Sequence, residues 1–138
     1  MSAHEGGCLC GSTRYSVKTQ PMRVTICHCR FCQRATGSAF LVEPIFGKSD
    51  LTLTAGEPKI YRHRSEGSGK IVNVHFCANC GTKLFLSFER FADVVGVYGG
   101  TFDDPTFWYT PERYVFARTK PDWLQIPEGI EVCQAMPE

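Results

Sequence analysis

Apolar and polar residues alternate over short runs along most of the chain, a pattern typical of β-strands that bury one face. Glycine, proline and serine separate these runs, and the segment Ser65–Gly69 is predicted to form a hairpin loop between two of them. The pattern predicts strands at Thr13–Lys18, Arg23–Cys27, Ala39–Val42, Leu51–Thr54, Lys59–Arg64, Ile71–Phe76, Lys83–Phe88, Val94–Tyr98 and Tyr114–Arg118. The chain is therefore predicted to be mainly β.

Helix signals are scarce in the same sequence. One short helix is predicted over Cys29–Ala35, with Gly37 as its C-cap, and a further turn is predicted near Phe88–Ala92. Many short strands with regular turns favour a small all-β sandwich or an open barrel. No internal repeat, low-complexity tract or linker divides residues 1–138, so we expect a single domain.

Composition and charge narrow the classes of function. Hydrophobic residues make up 43% of the chain and charged residues 21%, which predicts a folded core rather than disorder. The formal net charge of +1 argues against binding nucleic acid or a membrane through bulk charge. No apolar run approaches the ~20 residues of a membrane-spanning helix, and the first seven residues lack the basic and apolar segments of a secretory signal. We therefore expect a cytoplasmic protein without a membrane or nucleic-acid partner.

The cysteines are the unusual feature of the composition, since the chain has eight of them in 138 residues. Seven fall into three tight clusters and one stands alone: Cys8 and Cys10; Cys27, Cys29 and Cys32; Cys77 and Cys80; and the isolated Cys133. Tight clusters aim several sulfurs at one point, as a metal ion requires, whereas disulfide frameworks spread cysteines so that each bridge closes a long loop. The spacing favours metal binding over disulfides or redox thiols.

Two of the clusters have the form of zinc-knuckle half-sites. Cys77 and Cys80 lie on a predicted turn between two strands, Cys8 and Cys10 precede another strand, and a glycine follows the second cysteine of each pair. Two half-sites far apart in sequence commonly close one tetrahedral site. A four-thiolate zinc is therefore predicted here, with a structural role because no ligand position stays free.

The remaining cluster offers three thiolates, those of Cys27, Cys29 and Cys32. Three protein ligands leave the fourth position of a tetrahedral ion open, which is the mark of a catalytic zinc. His28 or Cys133 could instead complete the site, which would then be closed and structural. The sequence leaves these alternatives open.

Four segments resemble the glutathione-dependent formaldehyde-activating enzyme family, which includes centromere protein V. They are GGCLCGSTRY at residues 6–15, CHCRFCQRATG at residues 27–37, FCANCGT at residues 76–82 and YVFARTKPDW at residues 114–123. The resemblance extends over residues 6–124, nearly the whole chain, and the three cysteine clusters occur in the family's order.

The resemblance implies a β-tent fold of small, zinc-ribbon-like sheets, with two zinc ions per chain. It implies a structural ion held by Cys8, Cys10, Cys77 and Cys80, and a catalytic or exchangeable ion held by Cys27, Cys29 and Cys32. The family reaction joins glutathione to formaldehyde to give S-(hydroxymethyl)glutathione, formally a carbon–sulfur lyase reaction run in reverse.

From these observations we expect a lyase that joins a small, glutathione-like thiol to formaldehyde or a related aldehyde through a zinc-bound thiolate. Arg30 and Arg34, four residues apart on the predicted helix, are candidates to clamp a substrate carboxylate, and His28 is a candidate to carry the thiol proton. The alternative is a zinc-stabilised β-tent that binds a protein or chromatin partner without catalysis. A second site closed by a fourth protein ligand would favour that alternative.

Overall fold

A computed structural model of the chain describes residues 3–136. Eleven strands occur in the order β1 (His4–Gly7), β2 (Arg14–Val17), β3 (Arg23–Cys27), β4 (Leu41–Gly47), β5 (Leu51–Ala55), β6 (Lys59–Arg64), β7 (Ile71–Phe76), β8 (Lys83–Phe88), β9 (Val94–Val97), β10 (Arg113–Val115) and β11 (Glu131–Val132). Within the described residues one α-helix, α1 (Arg30–Thr36), follows β3, and Cys29 caps its N-terminus. The prediction of a mainly β fold with one short helix is confirmed.

The strands form two sheets. The smaller sheet has the antiparallel order β1-β2-β5, and the larger has the order β11-β10-β3-β4-β9-β8-β7-β6. The larger sheet is antiparallel except at β10, which runs parallel to both β3 and β11. Because β3 and β10 lie side by side, the chain around Cys27 is joined to the C-terminal segment as well as to β4.

Each face of the larger sheet carries its own hydrophobic cluster. On one face, Tyr15 and Val17 of β2 pack with buried residues of the larger sheet such as Phe46 and Val97. The opposite face carries a second cluster that includes Cys27, Cys32, Leu41, Val74 and Leu86. Successive strand residues point to opposite faces, so β4 sends Leu41 to the second cluster and Val42 to the first.

The predicted elements agree with the structure where the alternation is clear. The strands predicted at Arg23–Cys27, Lys59–Arg64, Ile71–Phe76 and Lys83–Phe88 have the observed bounds. The Ser65–Gly69 segment is the predicted hairpin loop, since β6 and β7 pair antiparallel across it. Gly37 is the predicted helix C-cap, with a left-handed φ of 71°.

Two predicted strands are wrong in part. The strand expected at Tyr114–Arg118 is a three-residue strand, because Phe116 adopts a left-handed backbone with φ of 55° and a 3₁₀ turn follows over Ala117–Thr119. The strand expected at Ala39–Val42 begins two residues later and runs on to Gly47. The sequence pattern does not predict strands β1 and β11. No helix within residues 3–136 has the length and apolar character needed to cross a bilayer.

Candidate metal centres

The structure brings the two predicted half-sites together. The sulfur atoms of Cys8, Cys10, Cys77 and Cys80 all lie within 4.8 Å of one another. Cys10 Sγ is 3.6 Å from Cys8 Sγ and 3.8 Å from Cys77 Sγ. Four sulfurs bonded to one zinc at about 2.3 Å would be about 3.8 Å apart, so this donor set fits a tetrahedral zinc. We call these four residues the four-cysteine site.

Both turns that carry the four-cysteine site are closed by backbone hydrogen bonds. The N–H groups of Cys8 and Cys77 donate to the carbonyls of Thr13 and Thr82, at 3.0 and 2.9 Å. The glycine after each pair has a left-handed φ, 81° at Gly11 and 80° at Gly81, a conformation that costs glycine little. The sequence therefore folds each pair so that both sulfurs face the same point.

Donors close to the sulfurs stabilise thiolate at the four-cysteine site. Ser12 Oγ lies 3.1 Å from Cys10 Sγ and 3.3 Å from Cys77 Sγ. Its hydrogen bond is the largest influence on both thiols, lowering the pKa of Cys10 to about 7 and that of Cys77 to about 5. The backbone N–H of Thr13 adds a 3.2 Å hydrogen bond to Cys8 Sγ. Negatively charged sulfurs are the form that binds zinc.

The second cluster also converges, and we call Cys27, Cys29 and Cys32 the cysteine triad. Their three sulfurs lie within 4.8 Å of one another. Cys27 ends β3, Cys29 is the N-cap of α1, and Cys32 lies in the first turn, where its N–H donates to Cys29 Sγ at 3.3 Å. Cys27 and Cys32 are buried and Cys29 is partly exposed. Three converging thiols with one accessible member are a donor set that fits zinc.

The three triad thiols do not ionise alike. Hydrogen bonds from Cys27 and Cys32 lower the pKa of Cys29 to about 3. The pKa of Cys27 is raised, chiefly because its thiol donates to Cys29, and that of Cys32 is raised by hydrogen bonds to Cys27 and Cys29. The first negative charge of the triad therefore resides on Cys29, its most exposed member.

Neither candidate for a fourth protein ligand joins the triad. The group of metal-binding side chains around the triad sulfurs, within the part of the chain that the structure describes, includes neither His28 nor Cys133. The His28 ring is fully buried, its Nδ1 lies 3.2 Å from the carbonyl oxygen of Ala39, and it stacks on Tyr114. The nitrogens of this ring do not converge with the triad sulfurs, and its burial does not favour the substrate contact considered for it. Cys133 packs against the outside of the cluster.

The structure places both predicted arginines on one cavity. Arg30 directly follows Cys29, and Arg30 and Arg34 of α1 line a cavity of about 480 Å³ together with residues of the C-terminal segment such as Thr119. Arg30 Nη1 donates to Gln33 Oε1 at 2.6 Å, which orients its guanidinium. Trp123, largely exposed, forms part of the same wall. A cavity with two guanidinium groups is suited to a ligand that carries carboxylates.

Sequence reasoning missed a group of polar residues on the triad's own sheet face. Glu43 of β4 is only 8% exposed. The hydroxyl of Tyr98 and Nε of Arg113 are buried without a hydrogen-bond partner among the described residues. The available signal was Glu43 itself, a lone acidic residue in the otherwise apolar run that spans residues 41–46.

Comparisons with known proteins show the family and the fold of the chain. Residues 3–119 match the profile of a family described as "Glutathione-dependent formaldehyde-activating enzyme". A Halomonas elongata protein named "Putative glutathione-dependent formaldehyde-activating enzyme" is 27% identical over 126 residues, covering 88% of this chain and 80% of that protein. An "Uncharacterized lyase" of Schizosaccharomyces pombe is 24% identical over 90 residues, covering 65% of this chain and 61% of that protein. A crystal structure of a Rhodobacter sphaeroides protein has a similar fold, with a TM-score of 0.58 at 18% identity over 80% of this chain and 99% of that one.

Proposed function

This chain belongs to the glutathione-dependent formaldehyde-activating enzyme family, and from that premise we propose that it is a zinc-dependent carbon–sulfur lyase. It would join a small, glutathione-like thiol to formaldehyde or a related aldehyde, and run the same reaction in reverse. The relatives named as a glutathione-dependent enzyme and as a lyase support this chemistry.

The difference in ligand number between the two cysteine sites carries the proposal. The four-cysteine site offers a full tetrahedral set, whereas the triad offers three sulfurs and, among the described residues, neither His28 nor Cys133 joins them. A zinc ion held by the triad would keep one position for a substrate thiol, and it would supply the charge that makes this thiol ionise near neutral pH. Partial exposure of Cys29 leaves a side from which a thiol can approach.

The chain's own residues would bind and orient the thiol. Glutathione carries two carboxylates, and the guanidinium groups of Arg30, the residue after Cys29, and of Arg34 line one cavity and can pair with them. The reaction forms one bond, from the thiol sulfur to the aldehyde carbon, while the carbonyl electron pair moves to oxygen. One proton leaves sulfur and one proton arrives at oxygen, so no oxidant or reductant is needed.

The direct test is the exchange of ¹³C-formaldehyde with its glutathione adduct, followed by exchange NMR against the spontaneous rate. We expect the zinc-loaded wild-type protein to accelerate exchange and Cys29→Ala to abolish the acceleration. Cys133→Ala is the matched control, because it removes a partly buried thiol that lies outside both sites. Acceleration that survives in Cys29→Ala would contradict the role of the triad. No acceleration by the wild type, with no binding of glutathione, would favour the binding-module alternative.

A further inference from the structure

Glu43 lies on the same sheet face as the cysteine triad. In the pairing of β3 with β4, Cys27 lies opposite Leu41 and Thr25 lies opposite Glu43. Residues two apart on a strand share a face, so the Glu43 side chain points to the side where Leu41 packs with Cys27. Glu43 therefore lies on the triad's side of the sheet, two residues along β4 from Leu41, the residue opposite Cys27.

The carboxyl of Glu43 is buried without a partner that would explain its burial. The structure contains one ion pair among residues 3–136, between Arg14 and Asp103, and no hydrogen bond influences the Glu43 carboxyl. Burying an unpaired carboxyl opposes folding. The neighbouring strand nevertheless makes room for it, because a Cβ at Gly96 of β9 would overlap the Glu43 carboxyl. A polar group kept at a cost in stability, in a fitted space beside a reactive cluster, indicates a functional group.

Other polar groups without partners surround the same position. The Tyr98 hydroxyl, directly after β9, is buried and unpartnered in the described structure, and Tyr98 packs in one cluster with Cys27 and Cys32. Burial raises the pKa of Tyr98, and the nearby charges of Cys32, Glu43 and Cys29 raise it further, so this hydroxyl stays a proton donor. The side chains of Tyr98 and Glu43 thus lie on the triad's side of the sheet with hydrogen bonds still to be made, as expected of groups that bind a small polar ligand.

We propose that Glu43 is the catalytic acid of the reaction, protonating the aldehyde oxygen while the Tyr98 hydroxyl holds that oxygen. This inference rests on the proposed function. As the thiol sulfur bonds to the aldehyde carbon, the carbonyl electron pair moves to oxygen, which takes the carboxyl proton of Glu43. The proton lost by the thiol goes to water, and water reprotonates Glu43, so the step balances. In the reverse direction the Glu43 carboxylate removes the hydroxyl proton of the adduct.

The electrostatic surroundings of Glu43 suit such an acid. Burial, the largest cause, and the charge of Cys29 raise the pKa of Glu43 and Arg113 of β10 lowers it, with a net pKa of about 8. The other titratable groups on this face are the triad thiols and Tyr98, together with Cys133, which packs against the cluster, and His63, which stacks on Phe31 at its edge. A carboxyl that stays protonated at neutral pH can donate, and a pKa close to the working pH is the most effective for general acid–base catalysis.

The test compares wild type, Glu43→Gln and Glu43→Asp as zinc-loaded proteins in the formaldehyde–glutathione exchange assay at saturating glutathione, across pH and in D₂O. We expect Glu43→Gln to lower kcat about 100-fold or more, with glutathione affinity unchanged. The wild-type kcat should fall as pH rises through the pKa of Glu43 and show a solvent isotope effect. Glu43→Gln should lack both, and Glu43→Asp should recover part of the rate. Tyr109→Phe is the control, since it removes a buried, unpartnered hydroxyl from the opposite cluster.

The outcomes separate this inference from the function on which it rests. An active wild type with an equally active Glu43→Gln would overturn the role of Glu43 alone. That role is also overturned if Glu43→Gln is slow but its kcat still falls at alkaline pH, or if Glu43→Asp is no faster than Glu43→Gln. Either result would mean that Glu43 contributes only through packing. If Glu43→Gln fails to fold, wild type and Glu43→Asp are compared instead. A fall of kcat at alkaline pH with a solvent isotope effect in both proteins would support the role of Glu43, and their absence would overturn it. An inactive wild type would overturn the proposed function and, with it, this inference.

Discussion

The buried carboxyl of Glu43 should make the stability of the folded protein depend on pH, whatever the protein catalyses. Burial and the charge of Cys29 raise its pKa from 4.5 to about 8 in the folded state. In the unfolded chain the carboxyl is solvated and returns to its ordinary pKa. A group with a raised pKa in the folded state stabilises the fold fully below its unfolded pKa, and this contribution is lost as pH rises through its folded pKa. Glu43→Gln removes the titration and keeps the shape of the side chain.

The size of the effect follows from the two pKa values. At about 1.4 kcal/mol per pKa unit, the rise from 4.5 to about 8 corresponds to about 5 kcal/mol across the whole pH range. Between pH 6 and pH 9, the loss is about 3 kcal/mol, because the folded-state carboxyl ionises mainly within that window. Wild type should therefore lose about 3 kcal/mol of unfolding free energy relative to Glu43→Gln over this interval.

Urea unfolding of the zinc-loaded proteins at pH 6, 7, 8 and 9 measures this difference directly. Titrating groups that do not interact with Glu43 contribute equally to both proteins and cancel in the comparison. Glu112→Gln is the matched control, because Glu112 is exposed and should show no such trend. A difference between wild type and Glu43→Gln that stays constant within about 0.5 kcal/mol from pH 6 to pH 9 would refute the reasoning.

Three further predictions concern the remaining sites. Cys80→Ala should lose one zinc and should no longer unfold cooperatively in urea, because a structural zinc supplies on the order of 10 kcal/mol of folding free energy. A cooperative unfolding transition like that of Cys133→Ala would contradict the four-cysteine site. Gly96→Ala should cost about 1–3 kcal/mol through overlap with the Glu43 carboxyl. Thermal melts should show that cost largely removed in the Glu43→Ala background, and an equal cost in both would refute the contact. Arg34→Met should raise the KM for glutathione about tenfold, as expected for one lost charge-assisted pair, with kcat unchanged in the exchange assay, and an unaltered KM would exclude the carboxylate contact.

Local signals in the sequence predict much of the fold. Strands such as Ile71–Phe76 and Lys83–Phe88 are predicted with their observed bounds because alternation and flanking turns act over a few residues. Each cysteine half-site is equally local, since a knuckle spaces its sulfurs by its own backbone turn, whereas the meeting of the two half-sites depends on the fold, which brings Cys10 to Cys77. Strands β1 and β11 lack such a signal. The first is the polar and glycine-rich His4–Gly7, and the second has two residues that pair with the distant β10.

The surroundings of the triad depend on long-range register, which sequence reasoning does not supply. Glu43 faces the triad only because β4 pairs with β3 in one register and β9 brings Gly96 alongside. A shift of one residue would send the carboxyl to the opposite cluster. The burial of His28 likewise depends on Tyr114, which lies far from it in sequence, in β10, and is brought close by the pairing of β10 with β3.

The central claim is that the triad holds a second zinc with a position for a substrate thiol. Native mass spectrometry of the freshly reduced protein, with and without glutathione, tests it most directly. We predict two zinc ions per wild-type chain, one of them more easily lost, and a glutathione adduct. Cys29→Ala should keep one ion and form no adduct, whereas Cys133→Ala should behave as wild type. Two ions retained in Cys29→Ala, or two tightly held wild-type ions with no thiol adduct, would contradict the claim.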